Sequence, residues 1–357
     1  MTRSDSVTRP EVSVIIPARN EEAALGACLQ SLLRQTGVAF EIIVVDDNSS
    51  DRTRPIAQSF SDVAVITAPS LAKSWTGKNN ALVAGTEHAR GQWLLFTDAD
   101  TVHLPGSLAR SLAEANEKGA ALLSYSPEQE VKGFWEKAIM PVIFAELAGT
   151  YSPAQVSDPN SAAAAANGQY MLVLREAYHA VGGHASVAGK LLEDVALAQL
   201  IKRSGRKIYF RYGGDAVCTR MYRSFAQLRE GWTKNLALLF SRPLHLAGVR
   251  VLEFGAIAGG TFIVFAAAVR QRSYAAVLAG LLAGTLYAHF LARIRKAHFS
   301  WSSYLLAIFG LPLFSYLLWR SQLSHKKGRV AWKGRVYAAD GGLENKVNTS
   351  AVMPQAR

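Results

Sequence analysis

Cysteine is nearly absent from this 357-residue chain, which carries only Cys28 and Cys218, outside any CxxC or His-rich zinc spacing. A disulfide framework is excluded, a reducing cytosolic setting is the expectation, and both thiols read as small buried hydrophobes. Charge is sparse as well. Asp, Glu, Lys and Arg make up 18% of residues against 50% hydrophobic ones, which excludes intrinsic disorder. Acidic residues are missing from one region above all. Residues 241–357 hold 15 basic and 3 acidic residues, whereas residues 1–240 hold 24 of each, so the net charge of +12 belongs to the last third. Three long apolar runs share that third, which excludes a solvated basic arm for nucleic acid and fits a membrane anchor with basic flanks. The opening MTRSDSVTRPEVSVIIP lacks a long apolar stretch followed by a small-residue cleavage site, so nothing there directs secretion.

What is present is strand-helix alternation. Val12 to Ile16 is a short β-branched run stopped by Pro17, and Asn20 or Glu21 opens a helix whose apolar face is Leu25, Leu29, Leu32 and Leu33. Glu41 to Val45, Val63 to Thr67 and Trp93 to Thr97 read as further strands, with helices from Asp51 and from Asn80 to Ala89 between them. Such alternation predicts a parallel sheet wound with helices, with ligands at the carboxyl ends of the strands. Beyond Ser107 the pattern loosens, with a strand at Tyr170 to Leu174, a helix from Glu193 to Ser204 closed by Gly205, and a strand at Lys207 to Arg211. Tyr222, Phe225, Leu228, Trp232 and Leu236 then mark a helix suited to a membrane surface or to packing on the soluble domain. Val251 to Val269, Tyr274 to Ala292 and Ser302 to Trp319 are each near the length a bilayer span needs. The expected organisation is a polar tail (1–10), a catalytic domain (11–240), a membrane region with two or three spans (241–320) and a basic tail (321–357).

Three acidic pairs carry the candidate chemistry. Asp98 and Asp100 follow the strand Trp93 to Thr97, so i and i+2 carboxylates at a strand end suit a hard divalent cation, Mg or Mn, bridging to phosphate. Acidic pairs in turns can also be merely solvated. Asp46 and Asp47 end another strand, where one could accept hydrogen bonds from a base or ribose and one could form an Asx-turn. Lys78, in SWTGKNNAL, suits a cation held against phosphate, although the first glycine and the hydroxyl of a P-loop are missing. Glu193 and Asp194 open a helix, a place where acids also serve the macrodipole. Trp232 offers an aromatic wall on the acceptor side. His184 could approach acceptor or metal, or be structural after the Gly182-Gly183 turn.

Taken together, VSVIIPARNEE, EIIVVDDNSSDRT, Gly77 to Leu82, LLFTDADT and LLEDVALAQLIKRSG resemble the family 2 glycosyltransferases over roughly residues 11 to 235. NGQYMLV, GGH, GWTKN and the final WKGRVY are most similar to the membrane-bound, lipid-glycosylating branch, including carotenoid-acid and hopanoid-associated glucosyltransferases. The resemblance implies an α/β GT-A fold, a Rossmann-like mixed and mostly parallel sheet, with C-terminal transmembrane helices. It implies inverting transfer of a sugar from a nucleotide-diphosphate sugar, such as a UDP-sugar, to a membrane lipid acceptor; polyprenyl phosphate is the alternative acceptor. It places Pro17, Arg19, Glu21, Asp46 and Asp47 around the nucleoside and Lys78 facing the nucleotide. Asp98 and Asp100 become the DxD metal pair, Asp194 the catalytic base, and Glu193, Trp232 and His184 acceptor-side residues. Gly231 stands where processive relatives have Arg, which implies one sugar per lipid. A nucleotidyltransferase would need a Gly-rich basic loop where PARNEE stands, and a non-catalytic scaffold would need no Asp194.

The topology pulls two ways. A cytosolic catalytic domain and three spans would put the tail outside, yet Arg320, Lys326, Lys327, Arg329, Lys333 and Arg335 belong inside, against Arg270 and Arg272 in the first loop. An even number of crossings reconciles them. Val251 to Val269, entered by Arg250 and Glu253 and containing Gly255, Gly259 and Gly260, is the run expected to be re-entrant or interfacial.

Overall fold

The computed structural model describes residues 9–270 and 274–337. Residues 1–8 of the polar tail, Arg272 of the first loop and the basic tail beyond Tyr337 lie outside the described residues. The strands are β1 (Val12–Ala18), β2 (Phe40–Asp46), β3 (Val63–Thr67), β4 (Trp93–Phe96), β5 (Thr101–His103), β6 (Leu122–Ser126), β7 (Glu128–Gln129), β8 (Met171–Leu174), β9 (Ile208–Tyr212), β10 (Val217–Thr219), β11 (Val330–Trp332) and β12 (Arg335–Tyr337). The helices are α1 (Leu25–Leu33), α2 (Thr53–Gln58), α3 (Gly77–His88), α4 (Ser107–Lys118), α5 (Phe134–Thr150), α6 (Pro153–Ser157), α7 (Arg175–Ala180), α8 (Glu193–Arg203), α9 (Phe225–Leu239), α10 (Pro243–Arg270), α11 (Tyr274–Ile294), α12 (Trp301–Leu306) and α13 (Gly310–Lys326).

The main sheet has seven strands in the order β3-β2-β1-β4-β8-β6-β9. Its β3-β2-β1-β4 half is parallel, β8 runs antiparallel to both neighbours, and β9 is parallel to β6. The mixed, mostly parallel sheet expected from the sequence is therefore observed. Alternate residues of the central strands face opposite layers. Val14, Ile16, Ile42 and Val44 pack with Leu25, Leu29 and Leu32 of α1, while Ile15, Ile43 and Val45 pack with Leu82 of α3 and Leu197 of α8. Both faces are covered, which is why these strands read as continuous apolar runs.

Pro17 does not end β1. It pairs with Val45 of β2, whereas β4 accompanies β1 only as far as Ile15 opposite Phe96. The missing N–H points past the end of β4, where it interrupts no ladder. Nor does Asn20 or Glu21 open α1, which starts at Leu25. Asn20 is in the left-handed region at φ 53, and the amides of Glu21 and Glu22 donate to Thr53 Oγ1 and Asp51 Oδ2. Those bonds tie the chain to the loop before α2 and delay the helix by a turn.

The apolar face of α9 is covered. Leu228, Trp232 and Leu236 lie in a third core with Ile139 and Ile143 of α5 and Phe314, Leu317 and Leu318 of α13. Of the two settings open for this helix, the observed one is packing against protein. Three helical segments, Pro243–Ala266, Ala276–Ala297 and Trp301–Lys326, are long and apolar enough to cross a membrane. The first is uninterrupted despite its glycines, because Gly260 is where α11 approaches: a Cβ there would meet Ala283 Cβ at 2.7 Å. The third segment carries a 3-10 turn at Ala307–Phe309, between α12 and α13.

Close approach also fixes α3, whose N-terminus carries Lys78. A Cβ on Gly85 would meet Ile15 Cγ2 at 2.5 Å and Val45 Cγ2 at 3.0 Å, so the helix lies directly on β1 and β2. Gly85→Ala should destabilise the protein by roughly 1–3 kcal/mol through overpacking. Gly149→Ala, where a Cβ meets nothing within 4 Å, should be neutral or stabilising. Thermal unfolding of both variants in detergent checks this, and equal midpoints would refute the packing claim.

Candidate active site

The carboxyl ends of β1, β2 and β4, the N-termini of α3 and α8, and the loop before β8 surround a cleft of about 1120 Å³. Pro17, Arg19, Glu21, Asp47, Lys78, Asp98, Asp100, Glu193, Asp194 and Trp232 all line it. The structure thus gathers ten of the twelve residues singled out from the sequence. Asp46 and His184 do not reach the cleft.

Asp46 is the member of its pair that secures the following turn: its Oδ1 accepts from Ser49 N, three residues on, at 3.2 Å, and it is buried. His184 is fully buried, edge-on to Phe96 at 4.7 Å, with Nδ1 3.0 Å from Tyr178 Oη. Burial pushes its pKa down to about 3, so it is a neutral packing residue. The placement corrects the acceptor-side expectation for His184.

Lys78 is the hub. Its Nζ lies 2.7 Å from Asp98 Oδ1 and 2.8 Å from Glu193 Oε1. Burial opposes its charge, but Asp98, Glu193 and Asp194 outweigh that and hold the ammonium well above its ordinary pKa. Local sequence explains the placement. Thr76 Oγ1 caps α3 by accepting from Asn79 N at 3.2 Å, and Asn79 Nδ2 donates to Val187 O at 2.8 Å and Ala188 O at 2.9 Å. Asn79 therefore staples the approach to α8 onto the start of α3, and Lys78 faces Glu193. Gly168 leaves the room: a Cβ there would lie 3.0 Å from Lys78 Nζ and 3.4 Å from Asp194 Oδ2.

Asp194 accepts from the backbone N–H of Gly168 and of Val195, each at 2.8 Å. Burial, and then the charge of Glu193, raise its pKa to about 6 against the pull of Lys78 and those amides. Asp100 is raised further, to about 7, by burial and by the charges of Asp98 and Glu21. Its Oδ1 is buried without a hydrogen-bond partner. Two carboxylates at one strand end, one of them short of positive charge, fit a divalent cation completed by phosphate oxygens. Among the described residues no cluster of three His, Cys, Asp or Glu side chains could hold a metal unaided.

Trp232 is 2% exposed, and a Cβ on Gly231 would meet Tyr222 Oη at 2.4 Å. Glycine at 231 is thus dictated by the tyrosine packed on it. From Asp194 the cleft continues along Phe144, Leu147, Tyr151 and Leu239 to Ala297 and His298, beside the membrane-type helices.

From sequence, Trp332 to Tyr337 is expected to be cytosolic and close to the catalytic domain, but Lys234, Lys333 and Arg335 are not identified as lining residues. Lys234 lines the cleft with its ammonium 4.8 Å from the Trp332 ring. The β11-β12 hairpin brings Lys333 to Glu21 and Arg335 to Asp47. Lys333 and Gly334 both have positive φ (45 and 77) in the two-residue turn, and the sequence signals it only through Gly334 between the short runs Val330–Trp332 and Arg335–Tyr337.

The profile of Glycosyl transferase family 2 matches residues 13–182. The 4,4'-diaponeurosporenoate glycosyltransferase of Staphylococcus aureus strain MRSA252 is 31% identical over 342 residues, covering 92% of this chain and 88% of that one. Its counterpart in strain N315 is 30% identical over 352 residues, covering 94% and 91%. A mannosyltransferase from Pyrobaculum calidifontis, solved with GDP-Man and Mn2+, superposes with a TM-score of 0.51 at 17% identity, over 88% of this chain and 87% of that one. Likeness at that identity speaks to the fold.

Removing the hub leaves buried acids unpaired. Burial pushes Glu193 up, but Lys78 outweighs it, so its folded pKa lies below the ordinary value. That stability is present above about 4.5 and is lost as pH falls through the folded pKa. Lys78→Met should therefore lower the unfolding midpoint more at pH 8 than at pH 5, where the orphaned Glu193 takes up a proton. A loss independent of pH would show that the ion triad does not hold this region.

Proposed function

The chain belongs to glycosyl transferase family 2, and from that premise we propose that it moves a single sugar from a nucleotide-diphosphate sugar, such as a UDP-sugar, to a long apolar acceptor at a membrane. The observation that carries this reading is the continuity of one cleft. Its charged part holds the acids and Lys78 beside Asp194, and its apolar wall is formed by Phe144, Leu147 and Ala148 of α5 and Leu239 of α9, with Ala297 and His298 just after α11. The relatives named for glycosylating diaponeurosporenoate, at about 30% identity over most of the chain, support an acceptor of that long, acidic kind.

The residues divide the work by charge. Asp47 and Glu21 would accept hydrogen bonds from a ribose or base, and Pro17 and Arg19 would form the neighbouring wall. Asp98 and Asp100 would hold a divalent cation, Mg or Mn, which when bound neutralises charge on the leaving diphosphate. Lys78 adds a fixed positive charge on the same side. Asp194 takes the proton of a hydroxyl acceptor as its oxygen attacks the anomeric carbon from the face opposite the leaving group, and configuration inverts. Where the acceptor is a carboxylic acid already ionised, no proton remains to be taken and Asp194 orients it.

The membrane arrangement follows from the contacts of the tail. Lys333 and Arg335 touch Glu21 and Asp47, which supports a reading in which residues 330–337 share the side of the catalytic domain and the crossings are even in number. The pair α10 and α11 is the best crossing pair: 11% and 17% of their apolar windows are buried, against 50% for the third segment, which packs on α5 and α9. At their domain end, Glu146 of α5 binds Arg250 at 2.8 Å and Arg293 at 3.3 Å, and Glu253 binds both at 2.9 and 2.8 Å. Beyond this clamp each helix runs about 25 Å, close to the hydrocarbon thickness. We read the protein as a cell-membrane enzyme with a two-helix anchor and a cytosolic catalytic domain.

Two outcomes are expected. With a hydroxyl acceptor, transfer should rise about tenfold per pH unit below pH 6 and level off above it, as Asp194 loses its proton. Asp194→Asn should abolish transfer while changing UDP-sugar affinity only a few-fold. Mass spectrometry of the lipid products should show one added sugar, and a much weaker donor affinity in the variant would move Asp194 into the donor site. In sealed inverted vesicles, a tag after Arg357 should be open to protease, and protection of that tag would refute the two-helix anchor.

A further inference from the structure

The carboxylates assigned above to the nucleoside are held by the last described strands of the chain. Arg335 makes a two-pronged contact to Asp47, with Nη2 donating to Oδ1 at 2.9 Å and Nη1 donating to Oδ2. Lys333 Nζ donates to Glu21 and, at 3.1 Å, to Arg19 O. The backbone N–H of Lys333 donates to Glu230 Oε1 of α9 at 3.1 Å. Val330 and Tyr337 are buried, and Trp332 covers Lys234. The hairpin therefore bridges the ends of β1 and β2 to α9.

Its position on α3 is as specific. A Cβ on Gly77 would lie 1.7 Å from Arg335 Nη1, so the guanidinium occupies the space that only glycine leaves at the start of this helix. The same point is where strand ends and a helix N-terminus converge on an anion. Charge makes the consequence concrete. Glu21, Asp47, Asp98, Asp100, Glu193 and Asp194 line the cleft, and the catalytic domain before α10 opposes them with Arg19, Lys78, Lys234 and the cations near Arg220. Arg19 is engaged with the carbonyls of Asp47 and Asn48, Lys78 with Asp98 and Glu193, and Arg220 with Glu136. A diphosphate entering that site would meet more acids than the catalytic domain before α10 supplies cations.

We propose that the hairpin Val330–Tyr337 is the cationic wall of the donor site, and that Lys333 and Arg335 exchange Glu21 and Asp47 for the diphosphate oxygens of a nucleoside diphosphate as those carboxylates turn to the nucleoside. The proposal rests on the donor reading above. An arginine fork suits phosphate as well as carboxylate, so the exchange keeps its geometry. No bond is made or broken. Because the hairpin follows α13 directly, it also makes donor binding depend on the seating of the membrane-type helices against α5 and α9.

The test uses the full-length protein in detergent, with calorimetric titration of UDP plus Mn2+ and, separately, of uridine. Replacing both cations (Lys333→Ala with Arg335→Ala) should weaken UDP at least tenfold and leave uridine within about twofold, since the nucleoside carboxylates remain. Arg335→Lys should recover part of the loss and Arg335→Gln none. Equal weakening of UDP and uridine would reduce the hairpin to a structural support, and unchanged or tighter UDP binding would make it a bystander or a plug; each result overturns the proposal. Wild-type protein that binds neither UDP nor GDP would instead remove the donor reading on which it stands.

Discussion

The ammonium of Lys78 joins the two halves of this active site. Asp98 follows β4 in the parallel half of the sheet and Glu193 opens α8, beyond the antiparallel strand β8 and α7, and both meet Lys78. Lys78 is the shared partner of both acids, so removing it leaves Asp98 and Glu193 unpaired, whereas removing either acid leaves the other ion pair in place. The surroundings hold that arrangement: Gly85 seats α3 on the sheet, Asn79 ties the approach of α8 to it, and Gly168 leaves the space in which the three groups meet. Asp194 inherits its high pKa from the same crowding, since it sits beside Glu193 and shares its burial.

A second constraint comes from the far end of the chain. The cleft is built by residues of the first two-thirds, yet its rim is completed by β11 and β12, after the chain has passed through α10 to α13. The third core, formed by α5, α9 and α13, links these parts and fixes where the hairpin emerges. The Glu146, Arg250, Glu253 and Arg293 clamp does the same for α10 and α11. Four ionic groups in one partly buried network hold two helices at a set height on α5, so the apolar faces beyond them begin at one level. The catalytic domain and the apolar helices are thus one packed unit, and the cleft reaches Ala297 and His298 beside their junction.

Local rules determined much of this protein from sequence. The β-branched runs gave β1 to β4 and their order along the chain because strands buried on both faces must be apolar throughout. The acidic pairs after those runs fell at strand ends, so Asp47, Asp98 and Asp100 were identifiable before any contact was known, as were Lys78 at a helix start and the three apolar segments. Each of these depends on residues near one another in the chain. What depended on partners distant in sequence was decided by the tertiary structure. The burial of His184 turned on Phe96, which meets it edge-on from β4. Which apolar segment packs on protein turned on α5 and α9, whose matching faces have no periodicity of their own to announce a partner. The pairing of Lys333 and Arg335 with Glu21 and Asp47 spans more than 280 residues, and a charge gives no sign in sequence of which opposite charge the fold will bring to it.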